Sequence, residues 1–146
     1  MELGNKTIII AGASSGIGTA AAMLFSREGA RLVLGARRAK ELEAITAEIV
    51  ANGGSATFLA GDVTDEAYSL ALVERAITEF GGLDGAFNNV GTMGDSCPIP
   101  DMTTENWHSV IEANLTSAFF AGRGCAMRTV SVVRSFNLYD RQSHDC

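Results

Sequence analysis

A glycine-rich turn near the amino terminus has the residue types and the spacing of a phosphate-binding loop. Gly12, Gly16 and Gly18 follow the apolar run at 7–11 and precede a helical pattern that ends near Gly29. Glycine permits a tight turn and a close approach of the backbone to a pyrophosphate, and the first turn of a helix offers unpaired N–H groups. The spacing, G-x-x-x-G-x-G, differs from G-x-G-x-x-G. The turn predicts a dinucleotide site, with a glycine-rich connection that holds no ligand as the alternative.

Two arginines, Arg37 and Arg38, follow the second predicted strand, the apolar run at 31–36. Arg37 lies 19 residues after Gly18, where a sheet of this kind places a residue against the adenosine ribose. An acidic side chain there would accept hydrogen bonds from a 2′-hydroxyl, whereas a guanidinium pairs with a 2′-phosphate through charge-assisted bonds. The pair therefore favours NADP(H) over NAD(H). The alternative is that both charges belong to a solvated loop.

Polar residues also end two further predicted strands. Asp62-Val63 follows the apolar run at 56–60, and Asn88-Asn89-Val90-Gly91 follows the run at 83–87. The carboxyl ends of the strands form the ligand crevice of an open α/β sheet, so these side chains are candidates for the same site. The alternatives are a helix cap or a turn for Asp62, and a turn for the asparagine pair.

Four motifs in this order make the chain resemble the short-chain dehydrogenase/reductase family over about residues 5–121. They are the glycine turn, Asp62-Val63, Asn88-Asn89-Val90-Gly91, and Asn114 followed by Leu115. The resemblance implies hydride transfer between NADP(H) and a small-molecule carbonyl or alcohol. It also implies a catalytic tetrad of asparagine, serine, tyrosine and lysine, of which Asn114 matches the first residue.

The same resemblance assigns roles within the cofactor site. The glycine turn would line the pyrophosphate, Arg37 the 2′-phosphate, Asp62 and Val63 the adenine, and Asn88 and Gly91 the region beneath the nicotinamide ribose. The full set of candidate cofactor-binding residues is Gly12, Ser14, Ser15, Gly16, Ile17, Gly18, Arg37, Arg38, Asp62, Val63, Asn88, Asn89 and Gly91.

The tyrosine and lysine of the tetrad have no match. The only lysines are Lys6 and Lys40, and the one tyrosine after Asn114 is Tyr139, whose fourth following residue is Ser143. A phenol that exchanges a proton with substrate at neutral pH needs its pKa tuned by such a neighbour. We expect the chain as printed to be inactive. One alternative is a non-catalytic nucleotide-binding module. Another is a truncated interaction partner of related subunits. Subunits of this family often associate through the helix that here contains Asn114, so the resemblance also implies a homo-oligomer.

Residues 122–146 differ in composition from the dinucleotide-binding domain predicted at 1–121. They contain four arginines, two of the three cysteines and one of the two histidines. A shifted reading frame, splicing and a genuine short variant all remain open as explanations. The β-prone run at 129–133 predicts a fifth strand beside the fourth, which would cover an exposed sheet edge.

Composition limits the class of protein. The 146 residues are 47% hydrophobic and 19% charged, as in one globular domain. A net charge of −6 argues against nucleic acid and anionic membrane as partners. The chain has no apolar run near 18 residues and no secretory pattern, so we expect a cytoplasmic location. Cys97, Cys125 and Cys146 show no C-x-x-C spacing, and we expect neither a disulfide nor a metal site.

Strand and helix patterns alternate along the chain. Helices are predicted at 16–28, 39–51, 65–80 and 104–122, between short apolar strands at 7–11, 31–36, 56–60 and 83–87. Nearly continuous apolar strands are typical of a parallel sheet covered on both faces, and right-handed crossovers give the strand order 3-2-1-4. The predicted fold class is therefore α/β, a three-layer doubly wound parallel sheet of the Rossmann type, truncated relative to the family. In the last helix, Trp107, Val110, Ile111 and Leu115 are expected to pack in the core.

Overall fold

A parallel sheet forms the centre of the molecule. The structure is a computed structural model that describes residues 1–128 and 134–137. In this part of the chain the strands have the order β3-β2-β1-β4-β5, as the crossover rule predicts for the first four. Their bounds are Thr7–Ala11 for β1, Arg31–Ala36 for β2, Ser55–Ala60 for β3, Gly85–Asn88 for β4 and Arg134–Asn137 for β5.

Helices connect the strands at nearly the positions that the sequence predicts. Their bounds are Gly16–Arg27 for α1, Ala39–Ala51 for α2, Glu66–Phe80 for α3, Thr104–Ile111 for α4 and Ser117–Arg128 for α5. A π-helical turn, Glu112–Thr116, joins α4 to α5, so the single helix predicted at 104–122 is three consecutive segments that extend to Arg128. No helix in residues 1–128 is long and apolar enough to cross a membrane.

The two faces of the sheet carry separate apolar clusters, because successive side chains of a strand point to opposite faces. On one face Ile10, Leu32 and Leu34 pack against α1 and α2, where Ala22, Leu42 and Ile49 are buried. On the other face the buried residues come from β1, β2 and β4 and from α3 and α5: Ile9, Val33, Ala86, Tyr68, Leu72, Val73, Ala76 and Cys125. The three-layer arrangement is thus confirmed.

Asp84 fastens the start of β4 to the start of β1. One of its carboxylate oxygens accepts the Thr7 N–H at 2.9 Å, and the other accepts Lys6 Nζ at 3.0 Å. The Thr7 N–H, followed by the Lys6 ammonium, lowers the pKa of Asp84. This anchor accompanies a register in which Asn88, at the end of β4, lies opposite Ala11, at the end of β1.

Two expectations about the second half of the chain need separate comment. The strand predicted at 129–133 lies outside the described residues, and the strand that pairs in parallel with β4 is Arg134–Asn137. The prediction that Trp107 and Leu115 pack in the core is wrong, since they are 57% and 64% exposed, while Val110 and Ile111 are half-buried. The buried side of α4 is instead formed around the polar side chain of Asn106.

Candidate active site

The carboxyl ends of four strands bring most of the candidate residues to one edge of the sheet. In the parallel register, Ala11 lies opposite both Gly35 and Asn88, and Ala36 lies opposite Ala60. The segments that leave these strands therefore start side by side. They contain the glycine turn after β1, the two arginines after β2, Asp62 after β3 and the asparagine pair of β4.

The glycine turn is held between the two neighbouring strands. Its first N–H groups, from Gly12 and Ala13, both donate to the Gly35 carbonyl at 2.8 and 3.1 Å. Gly12 has a φ of +83°, and a Cβ there would lie 2.6 Å from the Asn89 carbonyl oxygen. A Cβ on Gly18 would overlap the Gly12 carbonyl. These two glycines thus allow the turn to pack against β4 and the first turn of α1 to pack against the loop.

The amino terminus of α1 is open at this edge. Ser15 occupies the N-cap position with extended backbone, and its side chain makes no capping hydrogen bond. The Thr19 hydroxyl instead donates to the Ala13 carbonyl at 2.9 Å and braces the turn from behind. First-turn N–H groups without a side-chain cap form a site for an anion, favoured further by the helix dipole. The geometry therefore fits a pyrophosphate.

Arg38 reaches from the second strand to the glycine turn. Its Nε and Nη2 lie 3.3 and 3.1 Å from Ser14 Oγ, and Nη2 also donates to the Ser14 carbonyl at 3.2 Å. Its Nη1 is 3.6 Å from a carboxylate oxygen of Glu41. The structure thus brings Arg38, the second arginine of the pair, to the glycine turn. Ser14 and Arg38 form a polar surface beside the amino terminus of α1.

Asp62 forms a turn and stays ionised. Its Oδ1 accepts the Thr64 N–H at 2.9 Å and the Thr64 hydroxyl at 2.8 Å. These two bonds lower the pKa of Asp62, and the positive charge of Arg37 lowers it further. The turn expected as an alternative for Asp62 is therefore present, and the carboxylate still lies at the crevice, within electrostatic range of Arg37.

The asparagine pair of β4 forms the neighbouring wall. Asn88 is buried, and the Asn89 N–H donates to the Ala11 carbonyl at 3.0 Å. The Asn89 carbonyl faces Gly12, as described above. Val90 and Gly91 then lead the chain out of the sheet, Gly91 being exposed.

Asn114 lies in the π-helical turn and joins the same region. Its Oδ1 accepts the Thr92 N–H at 2.7 Å, and its Nδ2 donates to the Thr92 carbonyl at 2.8 Å. A recess between β4, α3 and α5 is lined by Asn114 together with Asn88, Val90, Ser117 and Cys125. The structure therefore brings Asn114 to the end of β4.

The sequence analysis did not single out Asn106, which makes an equivalent pair of hydrogen bonds with Asp95. The available signal was its position three residues after Thr103, the N-cap of α4.

Neither Tyr68 nor Cys125 supplies the missing acid–base group. The Tyr68 hydroxyl donates to the Leu59 carbonyl at 2.6 Å, and burial raises its pKa to about 12. Burial raises the pKa of the Cys125 thiol to about 11. Both groups are therefore protonated at neutral pH and packed in the core. Among the described residues, no cluster of three or more histidine, cysteine, aspartate or glutamate side chains could hold a metal ion.

Comparison with known proteins agrees with this geometry. A family model described as short chain dehydrogenase matches residues 6–130. An uncharacterized oxidoreductase of Listeria monocytogenes is 45% identical over 115 residues, covering 79% of this chain and 46% of that protein. A cyclohexanol dehydrogenase of an Acinetobacter species is 32% identical over 142 residues, covering 90% of this chain and 57% of that protein. The chain thus spans about half the length of the curated relatives it matches.

Solved structures share the fold. A short-chain dehydrogenase/reductase mutant from Serratia marcescens superimposes with a TM-score of 0.83 at 26% identity, covering 88% of this chain and 53% of that one. An NAD⁺-bound xylitol dehydrogenase gives a TM-score of 0.83 at 27% identity, covering 88% and 49%.

Two alanine substitutions separate the conformational role of the glycines from their packing role. Both Gly12 and Gly16 have positive φ, but a Cβ on Gly16 would meet nothing within 4 Å. Left-handed backbone alone costs about 1–2 kcal/mol for a non-glycine residue. Gly12→Ala adds a clash with the backbone of Asn89, directly after β4, which costs roughly 1–3 kcal/mol more. We expect urea unfolding without cofactor to show a larger loss in the free energy of unfolding for Gly12→Ala than for Gly16→Ala. Equal losses for the two variants would contradict the packing role of Gly12.

Proposed function

Since the chain belongs to the short-chain dehydrogenase/reductase family, we propose that it forms the nucleotide-binding part of an NADP(H)-dependent oxidoreductase. The observation that carries this proposal is the open, uncapped amino terminus of α1 beside Ser14 and Arg38. An anion is favoured there by N–H donors, by the helix dipole and by a guanidinium. When bound, the nicotinamide supplies or accepts the hydride.

The proposed cofactor site follows the edge of the sheet. The pyrophosphate would lie on the glycine turn, which supplies backbone donors and space for close approach. The adenine would lie near Asp62 and Val63, and the nicotinamide ribose near the end of β4. The complete proposed set is Gly12, Ser14, Ser15, Gly16, Ile17, Gly18, Arg37, Arg38, Asp62, Val63, Asn88, Asn89 and Gly91.

The two arginines would divide the recognition of the 2′-phosphate. Both are exposed and lie at the start of α2, Arg37 toward Asp62 and Arg38 toward Ser14. The contacts of Arg38 with Ser14 and Glu41 are exposed, so their net stabilisation is small and they can exchange for bonds to a phosphate. This arrangement supports NADP(H) in preference to NAD(H).

The substrate class that we propose is a small-molecule carbonyl or alcohol, handled by the longer proteins that this chain matches. The 146-residue chain by itself would bind the cofactor without turnover. The side chain of Asn114 is committed to both backbone groups of Thr92, and a carboxamide does not act as a general acid or base near neutral pH. Tyr68 is kept from this role by its hydrogen bond to the Leu59 carbonyl, and Cys125 by its burial.

Cofactor preference can be measured directly. We expect NADPH to bind about ten- to hundredfold more tightly than NADH, because a charge-assisted contact contributes on the order of 1.5–3 kcal/mol. Arg37→Asp should reverse this preference in a fluorescence titration. Lys40→Asp is the matched control, since it makes the same change of charge one turn later on α2. Equal dissociation constants in the unchanged chain, or a full reversal by Lys40→Asp, would contradict the assignment.

Turnover by the isolated chain should stay near background. General acid–base groups contribute about 10²- to 10⁴-fold to such reactions, so positioning alone leaves only a trace. The test is NADPH oxidation with a panel of carbonyl substrates, on a sample whose cofactor binding has been shown by titration. A rate of about 1 s⁻¹ or faster would mean that another residue replaces the tyrosine. Failure to bind either cofactor would instead refute the nucleotide-binding function.

An exposed apolar surface supports a further proposal, that the helix containing Asn114 joins two copies of this chain. Trp107, Leu115 and Phe119 are each more than half exposed along α4, the π-helical turn and α5. Such residues often mark an interface. Leu115→Glu should shift the mass measured by light scattering toward the monomer. Leu24→Glu, at an exposed apolar position of α1, is the control, and a monomeric unchanged chain would refute the proposal.

A further inference from the structure

We infer that Asn106 is a positioning residue that holds residues 92–95, the post-β4 loop, in the geometry that the nicotinamide half of the cofactor requires. The loop leaves the sheet directly after Asn88-Asn89-Val90-Gly91. The inference rests on the proposed function for its effect on cofactor binding. The hydrogen bonds between Asn106 and the loop are present in the chain without cofactor.

The post-β4 loop is bound at both ends by asparagine side chains. Asn106 Oδ1 accepts the Asp95 N–H at 3.0 Å, and its Nδ2 donates to the Asp95 carbonyl at 3.3 Å. Asn114 binds the N–H and the carbonyl of Thr92 in the same way. Each carboxamide thus replaces the pair of backbone bonds that a neighbouring strand would give. Asn106 is only 7% exposed, so its bonds are shielded from water.

Little else fastens this loop. Residues 91–96 are exposed, and Met93 is 89% exposed, so apolar burial contributes little to their order. Inside the loop, the Gly94 N–H donates to Thr92 Oγ1 at 3.1 Å. Gly94 has a φ of +67°, and a Cβ on it would overlap Asn106 Oδ1. The chain therefore closes tightly over the Asn106 carboxamide, which makes this side chain the support of the loop on the α4 side.

Release of the loop should affect the two halves of a dinucleotide differently. The glycine turn, Arg37 and Arg38 belong to other segments, in which the Gly35 carbonyl holds the turn and Arg38 contacts Ser14. Gly91 and Val90, by contrast, are continuous with the loop. Ordering them upon binding would reduce the affinity of a ligand that reaches them. A ligand with only the adenosine half would be unaffected.

The test compares Asn106→Ala with Thr103→Ala, measured by hydrogen exchange and by titration. Thr103→Ala is the matched control because Thr103 Oγ1 caps the same helix through the Asn106 N–H but does not touch the loop. We expect Asn106→Ala to speed exchange at Asp95 and to weaken NADPH about three- to tenfold, the range of one or two lost hydrogen bonds. Adenosine 2′,5′-bisphosphate should bind as before. Thr103→Ala should change neither the Asp95 exchange nor the ratio of the two affinities.

Asn106→Asp keeps the acceptor for the Asp95 N–H and should retain much of its protection, and it carries the test if Asn106→Ala does not fold. Equal losses for NADPH and the bisphosphate, or the same loop exchange in Thr103→Ala, would overturn the inference and leave Asn106 a helix-stabilising residue. If the unchanged chain binds neither nucleotide, the proposed function fails. Hydrogen exchange at Asp95 then shows whether Asn106 fastens the loop. An unprotected Asp95 amide in the unchanged chain would refute that part of the inference.

Discussion

The edge of the sheet that carries the proposed cofactor site depends on a backbone contact between the turn after β1 and the end of β4. Because β1 lies between β2 and β4 in the sheet, its turn must fit between Gly35 on one side and Asn89 on the other. The positive φ of Gly12 and its closeness to the Asn89 carbonyl make a side chain at this position incompatible with the packing. The same geometry that the sheet requires thus leaves an exposed row of N–H donors for an anion.

On both sides of the glycine turn, side-chain hydrogen bonds rather than backbone packing hold the chain in place. Arg38 spans from Ser14 to Glu41 in exposed surroundings, where such contacts stabilise little and exchange readily for a ligand. On the other flank, Asn114 and Asn106 bind backbone groups of the post-β4 loop, and the side chain of Asn106 is buried. Shielded hydrogen bonds are stronger and more costly to leave unmade. The flank proposed for the adenosine is therefore held by exposed contacts that can exchange, whereas the flank proposed for the nicotinamide is held in part by the buried side chain of Asn106.

The electrostatics of the described residues suit binding more than proton transfer. Hydrogen bonds to Thr64 keep Asp62 ionised near Arg37, so opposite charges face each other at this part of the sheet edge. Burial raises the pKa of Cys125, which lines the recess with Asn114, and of Tyr68, which binds the Leu59 carbonyl on the Asp62 side of the sheet, so both groups stay protonated at neutral pH. These directions agree with the proposed role in cofactor binding, and the sequence contains no Tyr-x-x-x-Lys that would add proton transfer.

Sequence by itself determined the strand order, the helix positions to within a few residues and the glycine turn, since apolar runs, glycine turns and crossover handedness act locally or through general rules. It did not determine which helix faces find a neighbour, so the helical pattern placed Trp107 and Leu115 in a core that they do not enter. The contacts of Arg38 with Ser14 and of Asn106 with Asp95 were also decided by the tertiary structure alone. They join residues 24 and 11 positions apart, and only the folded sheet and the path of α4 bring such side chains within hydrogen-bonding distance.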